Sequence, residues 1–165
     1  MTSDADLEAV GRQLGRPARG VDHVAHRCPC GLPDVVETVP RLPDGTPFPT
    51  HFYLTCPRAV SACGRLESGG VMREMNERLA TDPELAANYR AAHEDYLARR
   101  EALAEVREIA GVSAGGMPTR VKCLHALLGH ALAVGPGVNL LGDETRDRAG
   151  AWWAAGPCVE GTSTS

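Results

Sequence analysis

The sequence predicts an α+β domain: a small antiparallel sheet of about three strands, packed with a helical hairpin and a C-terminal helix. Three observations carry this prediction. Up to Thr55, short apolar stretches are broken by Gly, Pro and Asp-Gly, as strands are. From Pro57 the apolar spacing changes to the three-four step of helices. The chain has 165 residues, 43% hydrophobic and 23% charged, which fits one globular domain with a self-sufficient core. That domain is expected over residues 1–145. The segment 146–165, rich in Gly, Ala, Ser and Thr, is expected to be a disordered tail.

Residues 4–14 place Leu7, Val10 and Leu14 at helical spacing behind an Asp/Ser cap, which predicts a short amphipathic helix. The Gly15–Gly20 segment breaks it. Residues 21–27 alternate as a strand does, with Val21 and His23 on one parity. Val35, Val36 and Val39 predict a second strand ended by Pro40, and HFYLT over 51–55 a third. The intervening RLPDGTPFPT must be turn and extended loop. Three short strands in this order suit a meander.

Cys56-Pro57 reads as an N-cap followed by Pro at the first helical position. Helices are predicted over 57–67 and 71–80, separated by Gly69-Gly70. Asp82-Pro83-Glu84 starts the clearest helix. Leu85, Tyr89, Ala92, Tyr96, Arg99, Leu103 and Val106 step four and three alternately, a heptad seam with one charged interruption. The seam is expected to pack antiparallel on the preceding helix, and the helix 83–106 offers a surface for a homodimer or a protein partner. Gly111–Gly116 predicts a flexible loop. Pro118 begins a last helix through about Ala133, which Gly135-Pro136-Gly137 stops.

The formal net charge is −4, with no basic tail or stripe, which argues against general nucleic-acid binding. No apolar run approaches the ~20 residues of a membrane span, and no membrane association is expected. The opening MTSDADLEAV is acidic and lacks a hydrophobic signal core, so a cytoplasmic protein is expected. Thiols stay reduced there, and the six cysteines need a role other than disulfides. Among the 17 basic residues Lys122 is the one lysine; with the Ala and Gly excess this suggests a GC-rich coding sequence, as in many actinobacteria.

His23, His26, Cys28 and Cys30 fall in one short run, and Cys123, His125 and His130 in another. Such clusters point to metal coordination or thiol chemistry. Zinc sites draw four ligands from such residues, with close pairs on a turn. Cys28-Pro29-Cys30 is shorter than the usual knuckle, so Cys28 leads Cys30 as a ligand. Cys56, at a helix N-terminus, is either a thiolate favoured by the helix dipole or a neutral cap. Cys63 reads as a buried small hydrophobe, Cys158 as incidental, and His51 and His93 as surface positions.

In the helix predicted from Pro118, Val121, Leu124, Leu128 and Leu132 share an apolar face with His125 near it. Cys123 and His130 would be about 10 Å apart and cannot share one ion. Cys123 and His125 would project roughly 160° apart, so they can chelate together only if the chain is not yet helical at Cys123. The leading candidates are Cys28, Cys56 and Cys123, with His125, Cys30 or His130 completing the set around a zinc ion or an iron–sulphur cluster.

Three alternatives stand beside a metal site. One is a cysteine-dependent enzyme with a Cys56 or Cys123 thiolate activated by a neighbouring His. Another is an anion or phosphate site, where the loop with Gly115 and Gly116 meets a helix start carrying Arg120 and Lys122; the same loop reads equally as a hinge. The third is a non-catalytic interaction protein.

HRCPCGLPDVVETVPRLPDGTPFPTHFYLTCP, RLESGGVMREM and AGGMPTRVKCLHALLGHALA with GPGVNLLGDE together resemble an uncharacterised bacterial family, the domain of unknown function numbered five hundred and one, common in actinobacteria. The resemblance covers residue 5 to about 145. The family patterns R-C-P, P-F-P-T, L-T-C-P and V-K-C-L-H-x4-H fall here on Cys28, Pro47 to Thr50, Cys56, Cys123, His125 and His130. Some relatives lack a cysteine matching Cys30, and some carry His in place of Cys56, a swap that favours coordination over thiol chemistry. The family has no established activity. Its genes often lie beside a septum-formation protein and an exopolyphosphatase, which implies a link to cell division or polyphosphate metabolism by association only.

Overall fold

The computed structural model describes residues 2–159. It is an α+β fold, with a three-stranded antiparallel sheet in the order β1-β2-β3 and six α-helices among the described residues. The first helix, α1 (Asp4–Leu14), begins where the Ser3 side chain accepts the Asp6 N–H. It ends at Gly15, whose φ of 72° a side chain would resist. Its buried Ala9, Val10 and Gln13 lie toward β2.

The sheet is formed by β1 (Val21–Arg27), β2 (Pro33–Thr38) and β3 (Phe52–Leu54). The central β2 is covered on both faces: Val35 and Val36 are both buried, which explains a valine run where a half-exposed strand would alternate. Val36 pairs with Val24 on one side and Tyr53 on the other. The meander stands as the sequence predicts.

Beyond the sheet come α2 (Pro57–Ser68), α3 (Val71–Thr81) and α4 (Pro83–Leu103). The Asp82 carboxylate accepts the Glu84 and Leu85 N–H groups and fixes the start of α4. Leu85, Tyr89, Ala92 and Tyr96 are buried, as the seam requires. Further along, Leu97 and Arg100 are buried, whereas Arg99 of the seam is exposed. Buried Arg100 donates to the carbonyls of Pro49 and Ile109, each at 2.8 Å.

The C-terminal part corrects two expectations. The helix expected from Pro118 begins six residues later, as α5 (Leu124–Val134). Asn76 of α3 prevents an earlier start: its Oδ1 accepts the Val121 N–H at 2.8 Å and its Nδ2 donates to the Val121 carbonyl at 3.0 Å. Both backbone groups of Val121 are thereby taken from the helix ladder. The second correction concerns the disordered tail. Residues 146–149 complete α6 (Leu140–Ala149), capped by the Asn139 side chain on the Gly142 N–H. Trp152 then packs into the core at 8% exposure, an apolar anchor that outweighs the flexible composition around it. The rest of that expectation, residues 160–165, lies outside the described residues.

Two glycines allow α5 its position. A Cβ on Gly129 would lie 2.7 Å from the Phe52 carbonyl oxygen, and one on Gly142 would overlap the Leu127 carbonyl. Backbone thus meets backbone where α5 crosses β3 and α6. This close packing sets the first turn of α5 beside α2.

Candidate metal centre

The chain enters α5 in extended form. The Gly115 carbonyl accepts the N–H groups of Lys122 and Cys123, at 2.7 and 3.3 Å. Cys123 is the N-cap, with φ −150° and ψ 114°. The condition set by helical geometry is therefore met, since Cys123 stands outside the helix and can turn toward His125. The Cys123 Sγ lies 3.8 Å from His125 Nδ1. The same Nδ1 lies 2.9 Å from Oε1 of Glu67, in the last turn of α2. On the far side of the ring, Nε2 lies 3.1 Å from the Val60 carbonyl oxygen. Cys123, His125 and Glu67 are all half-buried.

Burial alone would push the Cys123 thiol up. Its contact with His125, the Ala126 amide and the His125 charge outweigh burial and hold it below the ordinary thiol value. The amide favours the thiolate without forming a full cap hydrogen bond. His125 shifts the opposite way: contact with Cys123 raises it against the effect of burial, with help from Glu67 and the Val60 carbonyl. The pair is poised toward thiolate and imidazolium.

Among the described residues, Glu67, Cys123 and His125 are the group of three metal-capable side chains whose ligand atoms all lie within 4.8 Å of one another. Cys28 and Cys56 are not in it. Cys28 faces Cys30 across the tight turn after β1, and burial pushes its thiol up to about 12. Cys56 faces Cys158, a neighbour 102 residues on that no local spacing suggests. Burial pushes Cys56 up to about 11, so desolvation defeats the helix-dipole effect at this N-cap even though the Ala59 and Arg58 amides favour the thiolate. Cys63 is fully buried, as expected.

His130 has another role. It is fully buried; its Nδ1 accepts from the Asn139 amide at 3.2 Å and its Nε2–H donates to Asp95 at 2.8 Å. This neutral ring ties α5 to α4 and to the start of α6. The surface expectation for His51 and His93 is wrong. His51 is wholly buried between Thr38 and Glu37, and His93 is buried against Ser113 at 2.7 Å. Polar partners on neighbouring elements make burial affordable for both rings, and no local spacing announces such partners.

The anion-site expectation loses its premise. Gly115 and Gly116 do not open a helix; α5 starts eight residues after Gly116. Their φ values of 68° and 91° form a tight turn, where a Cβ on Gly116 would lie 2.6 Å from the Arg120 carbonyl oxygen. The side chains of Arg120 and Lys122 are exposed.

Glu67 was not anticipated. The available signal is its place four residues after Cys63, on the same side of α2. In front of Cys123 and His125 a cleft of about 400 Å³ opens between β3, α2 and the 113–115 loop.

Fold and site together define a small α+β protein with a half-buried Cys-His-Glu group at a helix N-terminus. The chain belongs to the family described as protein of unknown function (DUF501), which matches residues 24–147. The match takes in all three residues of the group and ends before Cys158. No curated protein and no solved structure matches the chain. No helix is long and apolar enough to cross a membrane among the described residues.

Proposed function

We propose that Cys123, His125 and Glu67 hold one divalent cation, and that the cation is zinc. The observation that carries this reading is the convergence of Sγ, Nδ1 and Oε1 within 4.8 Å. The Val60 carbonyl on Nε2 supports it, because a metal-ligating imidazole commonly donates its other N–H to such a group, which fixes the ring. A set of one thiolate, one imidazole and one carboxylate suits zinc, whereas iron–sulphur clusters rest mainly on thiolates. Three protein ligands leave one position open. Zinc in such a site supplies Lewis acidity and an acidic water, the equipment of a hydrolase.

The test is zinc titration of purified protein against a chromophoric chelator, with elemental analysis. One zinc per chain is expected, lost in Cys123→Ser and in His125→Ala and retained in Cys28→Ser. Full occupancy in Cys123→Ser would end the reading.

A second reading uses the same residues without an ion. Both His125 nitrogens face acceptors, so the ring can be an imidazolium beside a Cys123 thiolate, the resting state of a cysteine nucleophile. Zinc-free protein would then be alkylated by iodoacetamide at Cys123 at pH 6, well ahead of the other thiols. Equal, slow labelling of all thiols would exclude it.

A further inference from the structure

The Cys-His-Glu group does not stand alone on the surface. Cys123 and His125 form part of the wall of the cleft of about 400 Å³, while Glu67 stays outside its lining. The rest of the wall is mainly apolar, with Thr50, Tyr53 and Ser113 as its hydroxyl-bearing members. Phe52, Leu54, Val60, Ala114 and Ala126 supply apolar surface from four separate elements. Among the described residues no Asp, Glu, Lys or Arg lines it.

Away from Cys123 and His125, a phosphate or nucleotide would meet no lysine or arginine in the wall, and a cationic ligand no carboxylate. Desolvating a charge against that part of the wall is costly. An uncharged hydrocarbon gains from the same wall, roughly fourfold in affinity per buried methylene. The volume lies within the range of small-molecule sites. The cleft beside His23, by contrast, is lined by Glu37 and Arg99 and suits polar ligands.

We infer that this cleft is an acyl-chain subsite, which takes the uncharged hydrocarbon part of a carboxylic ester, thioester or amide and lays its carbonyl end against Cys123 and His125. The inference rests on the reading of these residues as a reactive centre and names the substrate class they serve. Val60 then has two separable roles. Its carbonyl holds the His125 ring, and its side chain, 36% exposed, forms part of the hydrocarbon wall.

Calorimetric titration of zinc-loaded protein with acetohydroxamic and hexanohydroxamic acids tests this, because the two share a zinc-binding head and differ by four methylenes. The longer acid should bind at least tenfold more tightly. Val60→Trp fills the cleft and keeps the backbone carbonyl. It should erase the gain of the longer acid, with zinc occupancy measured in the same samples. Equal affinity for the two acids, or a gain that survives in Val60→Trp, would overturn the subsite. Preferential binding of inorganic phosphate would overturn it as well. If zinc does not bind, the metal reading fails by itself, and hexanamide against acetamide on zinc-free protein decides the subsite. Saturable binding of hexanamide that Val60→Trp abolishes supports it, and no binding ends it.

Discussion

Glu37 Oε1 lies 2.7 Å from Nε2 of His51, whose ring has no exposed surface. The other ring nitrogen, Nδ1, lies 2.9 Å from the Thr38 carbonyl oxygen. A carbonyl can only accept, so Nδ1 donates to it, and the Glu37 carboxylate faces the other ring nitrogen. The second oxygen of Glu37 lies 2.7 Å from Nε2 of half-exposed His23. One carboxylate of β2 therefore serves two imidazoles, one inside the protein and one at its surface.

Glu37→Ala should destabilise the protein by about 1–3 kcal/mol, the cost of leaving a buried polar ring nitrogen without its partner. Glu37→Gln keeps an acceptor for His51 and should lose less. Urea denaturation of both variants checks the order. An alanine variant as stable as the parent would show that the contact is not formed.

Acid should weaken the fold through His93 and His130. Burial is the leading cause in both and lowers their affinity for a proton in the folded state. Their folded values therefore lie below the unfolded value near 6.5. Such groups contribute stability that is complete above about pH 6.5 and declines as pH falls from there toward the folded values, where the unfolded chain binds protons that the folded chain refuses. His125 is raised and acts in the opposite direction: its contribution is complete below about pH 6.5 and fades as pH rises through its folded value. Comparing denaturation midpoints at pH 7.5 and 5.5 in the parent and in His130→Gln isolates one contribution. The acid loss should be smaller in the variant.

Zinc affinity should rise with pH, since ligands bind in their deprotonated forms. His125 holds its proton above its ordinary value, first through contact with Cys123. Affinity should therefore begin to fall at a pH somewhat above 6.5, the ordinary value for histidine, and binding should release protons into a weakly buffered solution. Glu67→Gln should weaken binding by more than the roughly 10–100-fold cost of losing an outer-shell partner. A pH-independent affinity would be inconsistent with these ligands.

Gly129→Ala should destabilise the fold although it lies in a helix. Propensity alone favours alanine there by about 1 kcal/mol. The added methyl would sit 2.7 Å from the Phe52 carbonyl oxygen, and overpacking of this kind costs about 1–3 kcal/mol. The packing effect should win, with a net loss seen in thermal melts. A stabilised variant would show that α5 can move away from β3.

Local pattern was enough for the early elements. Ser3 and Asp4, the β2 valines and Cys56-Pro57 mark boundaries through neighbours within a few residues, and the structure places α1, β2 and α2 where those marks fall. What escaped depends on contacts remote in sequence. Val121 bonds to Asn76, 45 residues away, and that contact sets the start of α5. Trp152 is ordered by a core that the Gly- and Ala-rich composition around it conceals. In the site, Cys123 and His125 are near neighbours and could be paired from spacing, with one geometric condition. Glu67 arrives from α2 through tertiary packing, while Cys28 and Cys56 share the residue chemistry of a ligand without its location.

The bond between Asn76 and Val121 has a wider consequence. Pro118 to Cys123 carries a sequence able to wind into the helix that follows, and two side-chain bonds from α3 keep it unwound. If it wound up, Cys123 would swing to the opposite side from His125 and the pair would separate, with no ligand altered. Cys123 and His125 thus stand together by interrupted growth, a conformational choice made on a different helix. Loss of the Asn76 amide, as in Asn76→Leu, would be read as longer helix in circular dichroism and as loss of zinc binding. Anything that pulled α3 away would separate the pair by the same route.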